Sequence, residues 1–303
     1  MWIAGILKSA YGNAYLLLTV CAMCWGGNAI AGRLAVGEVS PMLLTLFRWL
    51  GVAILIWAFA RPRIMAEAQV LKANLLYFLL MGAIGFTGFN VLYYIAAHST
   101  TAINLGILQG AVPICVLIGG FMAYRTPITM VQVTGITITV VGVGVVTVEG
   151  DLGNLFDLVF NSGDLLMLVA CFVYAIYAVL LRKRPAVSGL AMFGVMASSA
   201  FVASLPFAAW ELWSETTIWP SGEGWLIVAF VIAFPSFMSQ LFFMRGVQLI
   251  GPGRAGVFIN LVPIFASSFS VMFLGERFAS FHAVGILLVL GGIWVAERVR
   301  PAS

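Results

Sequence analysis

Eleven polar side chains stand inside long apolar stretches of this chain: Asn28, Arg48, Asn90, Asn104, Gln109, Tyr174, Tyr177, Ser236, Ser239, Gln240 and Asn260. Amides, phenols and hydroxyls can hold hydrogen-bonding groups of a neutral or zwitterionic molecule. They cannot by themselves run covalent chemistry. A catalytic centre would need paired acids, a His cluster or a Ser–His pair, and His98 and His282 both fall at helix ends, far apart in sequence. Polar side chains at membrane depth are expensive and are functional by default. The alternative for each Asn or Gln is a hydrogen bond that ties two helices together.

The same residues limit the substrate. A phosphorylated molecule needs several fixed cations, and Arg48 is the one cation inside a span. A polycationic molecule needs a buried carboxylate, and only Asp164 lies near a span, at its edge. A neutral or zwitterionic metabolite remains, with an amino acid bearing an apolar or aromatic side chain as the best fit. Amides would hold its charged ends, and rings such as Trp25, Tyr93, Tyr174 and Tyr177 its side chain. The expected substrate-binding set is therefore Trp25, Asn28, Asn90, Tyr93, Gln109, Tyr174, Tyr177, Gln240 and Asn260. No midplane acid relay is available, so facilitated movement down a gradient is the expected mechanism.

Elements long enough to carry these residues into a membrane follow from composition. The 303 residues are 62% hydrophobic and 9% charged, too few charges to cover a soluble surface. Apolar windows of about 20 residues recur, each able to cross the hydrocarbon core. The expected spans are 13–35, 41–60, 73–97, 99–123, 128–148, 163–181, 190–210, 224–247, 252–274 and 279–297, with Pro252 starting the ninth. The fold class is an all-α polytopic membrane protein with ten transmembrane helices. No small-residue cleavage site follows the first apolar core, so no removable signal is expected. Cys21 and Cys24 form a CxxC pair but read as small apolar filler on a helix face, and no metal or other cofactor is expected. Trp210, Trp213, Trp219 and Trp225 fit an interfacial belt.

Charge gives the orientation. With the N-terminus inside, Lys8, Arg61, Arg63, Lys72, Arg125, Arg182, Lys183, Arg184, Arg245, Arg254, Arg298 and Arg300 are inside. Only Arg33 and Arg277 are outside, while Glu149, Asp151, Asp157, Glu211, Glu215 and Glu223 crowd the outer loops. This places both termini in the cytoplasm. The net charge of +4 reflects topology rather than a nucleic-acid surface. The expected partners are a small-molecule substrate and the lipid bilayer, with a monomer as the plausible state.

The chain also resembles itself. Sliding it by 150 residues aligns 102–146 with no gap and gives nine identities in 45 positions, including Val112-Pro113-Ile114 with Val262-Pro263-Ile264. Asn90 meets Gln240 at the same offset. At an offset of 149, Cys21, Trp25, Asn28 and Gly32 meet Ala170, Tyr174, Tyr177 and Leu181, each set on one helix face. Residues 1–150 and 151–303 thus form two repeats. Five spans per repeat is an odd number, so the second copy enters from the opposite side. Inverted repeats characterise transporters, with the binding site at their interface. A channel would instead show a continuous polar file. Proline inside a helix removes a backbone bond and kinks it. Residues 109–113 and 259–263 therefore read as twin hinges, one for each gate.

Four stretches resemble one family. "WGGNAIAGRLA" (25–35), "LTLFRWLGVAIL" (44–55), "NVLYYIAAHSTTAINLGILQGAVPI" (90–114) and "FLGERFASFHAVGILLVLGG" (273–292) are similar to the signatures of EamA-type transporters in the drug/metabolite transporter superfamily. The resemblance covers nearly the whole chain. It implies ten helices in two inverted five-helix repeats and export of small metabolites or amino acids, aromatic ones included, across the inner membrane. The chain has "AYRTP" (123–127) opposite the stretch holding Glu276, and Ala197 opposite Arg48. Arg48 and Glu276 therefore break the pseudo-symmetry and serve as structural or gating residues as readily as ligands. With Gly110, Pro113 and Pro263 they form the expected gating set.

Overall fold

The structure, a computed structural model, describes residues 11–125, 128–151, 161–251, 255–256 and 258–297. The expectations attached to Lys8, Asp157, Pro252, Arg254, Arg298 and Arg300 lie outside these residues. Eight helices are long and apolar enough to cross a membrane: α1 (Ala14–Leu34), α2 (Pro41–Ala66), α3 (Leu75–Ala96), α4 (Ala102–Tyr124), α5 (Met130–Thr147), α6 (Ser162–Lys183), α7 (Gly189–Trp213) and α8 (Gly222–Ile250). Two shorter apolar helices follow, α9 (Phe258–Leu274) and α10 (Ser280–Ala296). No strand occurs among the described residues. The second helix runs past its expected end at residue 60, through Pro62, and keeps Arg61 and Arg63 on its last turns.

The helix starts are written locally. Side chains of Asn13, Thr101, Thr129, Asn161, Ser188 and Ser221 each accept a hydrogen bond from a free N–H of the turn they precede. Apolar helices gain little from each other's burial in lipid, so packing rests on close approach at small residues. The crossing of α5 and α10 shows it. A Cβ built on Gly135 would lie 2.5 Å from the Gly292 carbonyl oxygen, and one on Gly285 would lie 3.5 Å from that of Gly142. The Gly135–Gly292 contact maps onto Gly285–Gly142 under the 150-residue offset. The two helices run antiparallel, so the halves are inverted relative to each other.

The second and seventh helices repeat that relation through their ends. Glu211, near the end of α7, accepts from Ser40 Oγ (2.5 Å), Met42 N (3.2 Å) and Leu43 N (3.2 Å) at the start of α2. At the far end, Glu67 just after α2 accepts from Ser188 N (2.7 Å) at the start of α7. Each helix is capped by the carboxylate that ends its mate. Each anion also sits favourably at a helix N-terminus.

Two kinds of helix interruption recur in both halves. In α4 and α9, short 3₁₀ turns at Gln109–Ala111 and Phe258–Leu261 stand directly before Val112-Pro113 and Val262-Pro263, where a new helical segment begins. In α3 and α8, π-helical turns occupy Ala83–Gly88 and Ile232–Met238. Pro235 cannot donate to the Val231 carbonyl, and the Ser236 hydroxyl takes that carbonyl instead at 2.5 Å. About one turn farther on, Ser239 Oγ donates to the Pro235 carbonyl at 2.7 Å. In α3, Asn90 Nδ2 donates to the Phe86 carbonyl at 2.5 Å, and Thr87 Oγ1 to the Ala200 carbonyl at 2.7 Å.

A set of side-chain ties closes one face of the bundle. Where α1 ends and α2 begins, Arg33 Nη1 donates to the Ala97 carbonyl (2.6 Å), and Glu276 accepts from Ala102 N (2.9 Å) and Ile103 N (3.1 Å). Asp164 there accepts from the Thr100 hydroxyl and from Asn104 Nδ2 (3.1 Å). Beneath these ties lies a packed layer of Tyr93, Tyr94, Ile30, Leu44, Ile103 and Leu105, all buried. We call this the outer face, following the charge pattern.

Candidate functional site

A cavity of about 420 Å³ lies at the centre of the bundle. Its walls come from α1, α2, α3, α4, α6, α7, α8 and the start of α9. The lining residues form repeat pairs: Trp25 with Tyr174, Asn28 with Tyr177, Gly85 with Pro235, Phe86 with Ser236, Asn90 with Gln240, and Gln109 with Ile259. Those are the offsets of 149 and 150 found in the sequence. The pseudo-twofold axis therefore runs through the cavity. The π-helical turns bring Gly85, Phe86, Pro235 and Ser236 to the wall. Toward the inner face the lining continues along Val116, Ala178 and Gly256, while toward the outer face it stops below the Tyr93–Tyr94 layer.

Among the described residues, Arg48 is the only charged side chain in this lining, and it is 6% exposed. Its Nη1 donates to Asn28 Oδ1 (3.0 Å) and to the Tyr94 hydroxyl (2.6 Å), and that hydroxyl donates to Asn28 Oδ1 (3.1 Å). The guanidinium carbon lies 5.4 Å from the Trp49 ring centroid and 5.9 Å from that of Tyr94. Its Nε is buried without a partner, as is the Asn90 Oδ1 atom. A continuous aromatic surface adjoins these groups. Trp49 stacks on Phe86 at 4.5 Å, Phe86 meets Tyr177 at 5.8 Å, Tyr177 meets Tyr174 at 5.3 Å, and Tyr174 meets Phe89 at 5.3 Å edge-on. Trp25 packs against Phe243 at 5.5 Å.

Of the residues singled out in the sequence, Trp25, Asn28, Asn90, Gln109, Tyr174, Tyr177 and Gln240 line this cavity. Tyr93 does not. It is 1% exposed, one turn farther out than Phe89 and Asn90, inside the closing layer with Tyr94. Asn260 also lies elsewhere, at the crossing of the two proline-bearing helices. There Gln109, Gly110, Pro113, Asn260 and Pro263 surround a void of about 10 Å³. The twin hinges thus touch each other, with a Cβ on Gly110 falling 2.4 Å from Val289 Cγ1 and 3.9 Å from Pro263 Cγ. Arg48, assigned to gating from the sequence, is in the cavity wall, whereas Glu276 stands at the outer face. Trp49, Phe193 and Tyr94 were missed. Each lies on a helix whose apolar character hides it among core residues.

Two other features carry less chemistry. A groove of about 510 Å³ between α1, α8 and α9 is lined by residues such as Met23, Phe230 and Phe273, with no charged, amide or hydroxyl side chain. Cys21 Sγ donates to the Ser239 carbonyl at 3.3 Å and so ties α1 to α8.

Comparison with known proteins places this architecture. The EamA-like transporter family matches the chain twice, at residues 12–148 and 161–297. The chain is 27% identical over 293 residues to the uncharacterized transporter YyaM of Bacillus subtilis (strain 168), covering 95% of this chain and 94% of YyaM. It is 25% identical to the uncharacterized transporter YetK of the same organism, covering 96% and 88%. The uncharacterized inner membrane transporter YicL of Salmonella typhimurium is 22% identical, covering 92% and 93%. A solved structure described only as a crystal structure of a protein superposes with a TM-score of 0.65 at 19% identity, covering 93% of this chain and 96% of that one, and so shares the fold. With a doubled family match, apolar helices throughout and a cavity on the repeat axis, the chain belongs to the EamA-like transporter family of multi-pass membrane transporters.

Proposed function

We propose that this transporter exports small neutral or zwitterionic metabolites, amino acids with aromatic or other apolar side chains foremost, by alternating access through the central cavity. One observation carries the reading. The cavity combines an aromatic wall with a few convergent polar groups, among them Asn28, Arg48, Asn90 and Gln240, at the junction of the two halves. A cavity of this size suits a small ligand, and the ring faces suit both an apolar side chain and an ammonium group. The bundle spans the inner membrane ten times with both termini in the cytoplasm, and uses no cofactor and no nucleic-acid partner. The outer closing layer argues against a channel-like pore. Among the described residues the one cavity-lining charge is a cation, which supports facilitated export over a proton relay through a midplane acid.

Counterflow in proteoliposomes tests this. Liposomes loaded with unlabelled L-phenylalanine, L-tryptophan or L-leucine should accumulate the labelled amino acid without an ion gradient. Exchange of neutral metabolites or hydrophobic drugs with no exchange of any amino acid would replace this reading with its alternative. Uphill accumulation driven by a pH gradient alone would refute the facilitated mechanism.

A further inference from the structure

We infer that Arg48 is the carboxylate anchor of the central site, so that a transported substrate must carry a free carboxylate; this deepens the amino-acid reading and rests on it. A guanidinium taken out of water is costly unless an anion and hydrogen bonds meet it. Here only neutral groups meet it. Nη1 is shared between Asn28 and Tyr94, and Nε is buried with nothing to accept its proton. No Asp or Glu among the described residues pairs with Arg48. Three acids on the outer side of the bundle are committed elsewhere: Asp164 to Thr100 and Asn104, Glu211 to the start of α2, and Glu276 to the start of α4.

The geometry of the guanidinium selects a carboxylate. A planar guanidinium fork matches two carboxylate oxygens side by side. One cation balances one negative charge, whereas a phosphate dianion would be left half compensated. The Asn28–Tyr94 bonds fix the fork, and the Trp49 ring lies 5.4 Å from its carbon. A second unmatched group completes the picture. Asn90 spends its Nδ2 on the Phe86 carbonyl and keeps Oδ1 as a buried acceptor. A donor on the substrate, such as an ammonium group, satisfies it. The anchor and the acceptor share the cavity with the Phe86–Tyr177–Tyr174 wall, so carboxylate, ammonium and side chain each have a counterpart.

The pseudo-symmetry supports a ligand role. Ala197 stands where the second half would carry the mate of Arg48 and is fully buried. A substrate with one carboxylate has no symmetry, and the site built around it has one cation on one side of the axis.

The test uses the full-length protein in proteoliposomes and four labelled probes: L-phenylalanine, its methyl ester, its decarboxylated amine phenethylamine, and 3-phenylpropionate, which keeps the carboxylate and lacks the ammonium. We expect self-exchange of phenylalanine and phenylpropionate. The ester and the amine should exchange about ten- to hundredfold more slowly, as expected for loss of one charge-assisted pair. Arg48→Gln should abolish this preference, so that acid and amine exchange equally. Arg48→Lys, which keeps a cation without the fork, should raise the KM for both acids and retain their preference over the amine. If Arg48→Gln fails to fold, the wild-type panel and Arg48→Lys decide the matter. Wild-type exchange of the amine or ester at the rate of phenylalanine would overturn the anchor while leaving the amino-acid reading intact. Exchange of phenylpropionate with no amino acid exchanged would overturn that reading and leave the anchor standing.

Discussion

Glu211 and Ser40 meet at 2.5 Å across the outer face, one at the end of α7 and the other just before α2. The bond is one half of a reciprocal pair, because Glu67 at the end of α2 accepts from Ser188 N just before α7. These helices are equivalent positions of the two repeats. Their antiparallel clasp, made twice, binds the halves together along the axis that also crosses the cavity.

Removing the outer clasp should therefore cost stability without changing substrate affinity. Glu211→Ala leaves the Ser40 hydroxyl and the Met42 and Leu43 N–H groups without their acceptor. The expected loss is about 2–4 kcal/mol, read as a lower apparent Tm in detergent. A double-mutant cycle of Ser40→Ala with Glu211→Gln should give a coupling of about 1–3 kcal/mol. The KM for counterflow should stay within error of wild type. A large KM change with unaltered Tm would show that the pair belongs to the transport path instead.

The inner clasp gives a pH dependence of definite sign. Glu67 has its carboxyl lowered from the usual 4.5, first by the hydrogen bonds from Ser188, side chain and then backbone, with Arg63 nearby adding to them. A depressed folded-state pKa means the contribution is fully present above the unfolded value. It is lost as pH falls through the folded value. The apparent Tm of wild type should thus drop on acidification below about 4.5. Glu67→Gln should lower the Tm at neutral pH and flatten the acid limb, so the two curves converge at low pH. Parallel curves offset by a constant amount would rule out the carboxylate as the titrating group.

Much of this architecture was legible in residue order. The apolar windows located the helices because only helices and closed barrels hide backbone polar groups in lipid, and barrel strands of about ten alternating residues give no such windows. The 150-residue offset located the cavity's paired residues, since a pseudo-twofold axis acts on sequence positions directly. Three matters were not legible. Tyr93 shares its helix face with Phe89 and Asn90, but periodicity gives the face and not the depth at which the outer layer closes the cavity. Asn260 lies in the 3₁₀ turn Phe258–Leu261, one position beyond the residue that the 150-residue offset pairs with Gln109. Ile259, the mate of Gln109, borders both the cavity and the helix crossing, whereas Asn260 borders the crossing alone. The partners of Arg48 come from α1 and α3, and no local pattern announces a contact between three helices.

The outer face should open when Glu276 is removed. Its two bonds to the Ala102 and Ile103 N–H groups hold the first turn of α4 against the loop after α9. In the first half the stretch equivalent to this loop holds no acid, so the outer tie is unmatched by symmetry. Loss of two charge-assisted bonds shifts a two-state equilibrium by about tenfold or more. In a background with the four native cysteines replaced, a Gln109→Cys reporter should then react with an impermeant maleimide from the outer side about tenfold faster in Glu276→Ala. Glu276→Gln, which keeps an acceptor oxygen, should fall between the two. An unchanged labelling rate accompanied only by a lower Tm would make Glu276 a structural cap and nothing more.

Gln240 and Asn260 separate binding from hinge motion. Gln240 lines the cavity opposite its repeat mate Asn90, whereas Asn260 borders the void of about 10 Å³ where the proline-bearing helices cross. Truncating a side chain in the site removes substrate binding, so Gln240→Ala should raise KM by about fivefold to tenfold with little change in maximal rate. Truncating at the crossing enlarges a void between two moving segments. Asn260→Ala should therefore change the maximal rate and the Tm while leaving KM near wild type. Counterflow kinetics at several substrate concentrations distinguish the two. A KM increase in Asn260→Ala matching that of Gln240→Ala would place Asn260 at the substrate after all, and would mean that the crossing rotates toward the cavity during the cycle.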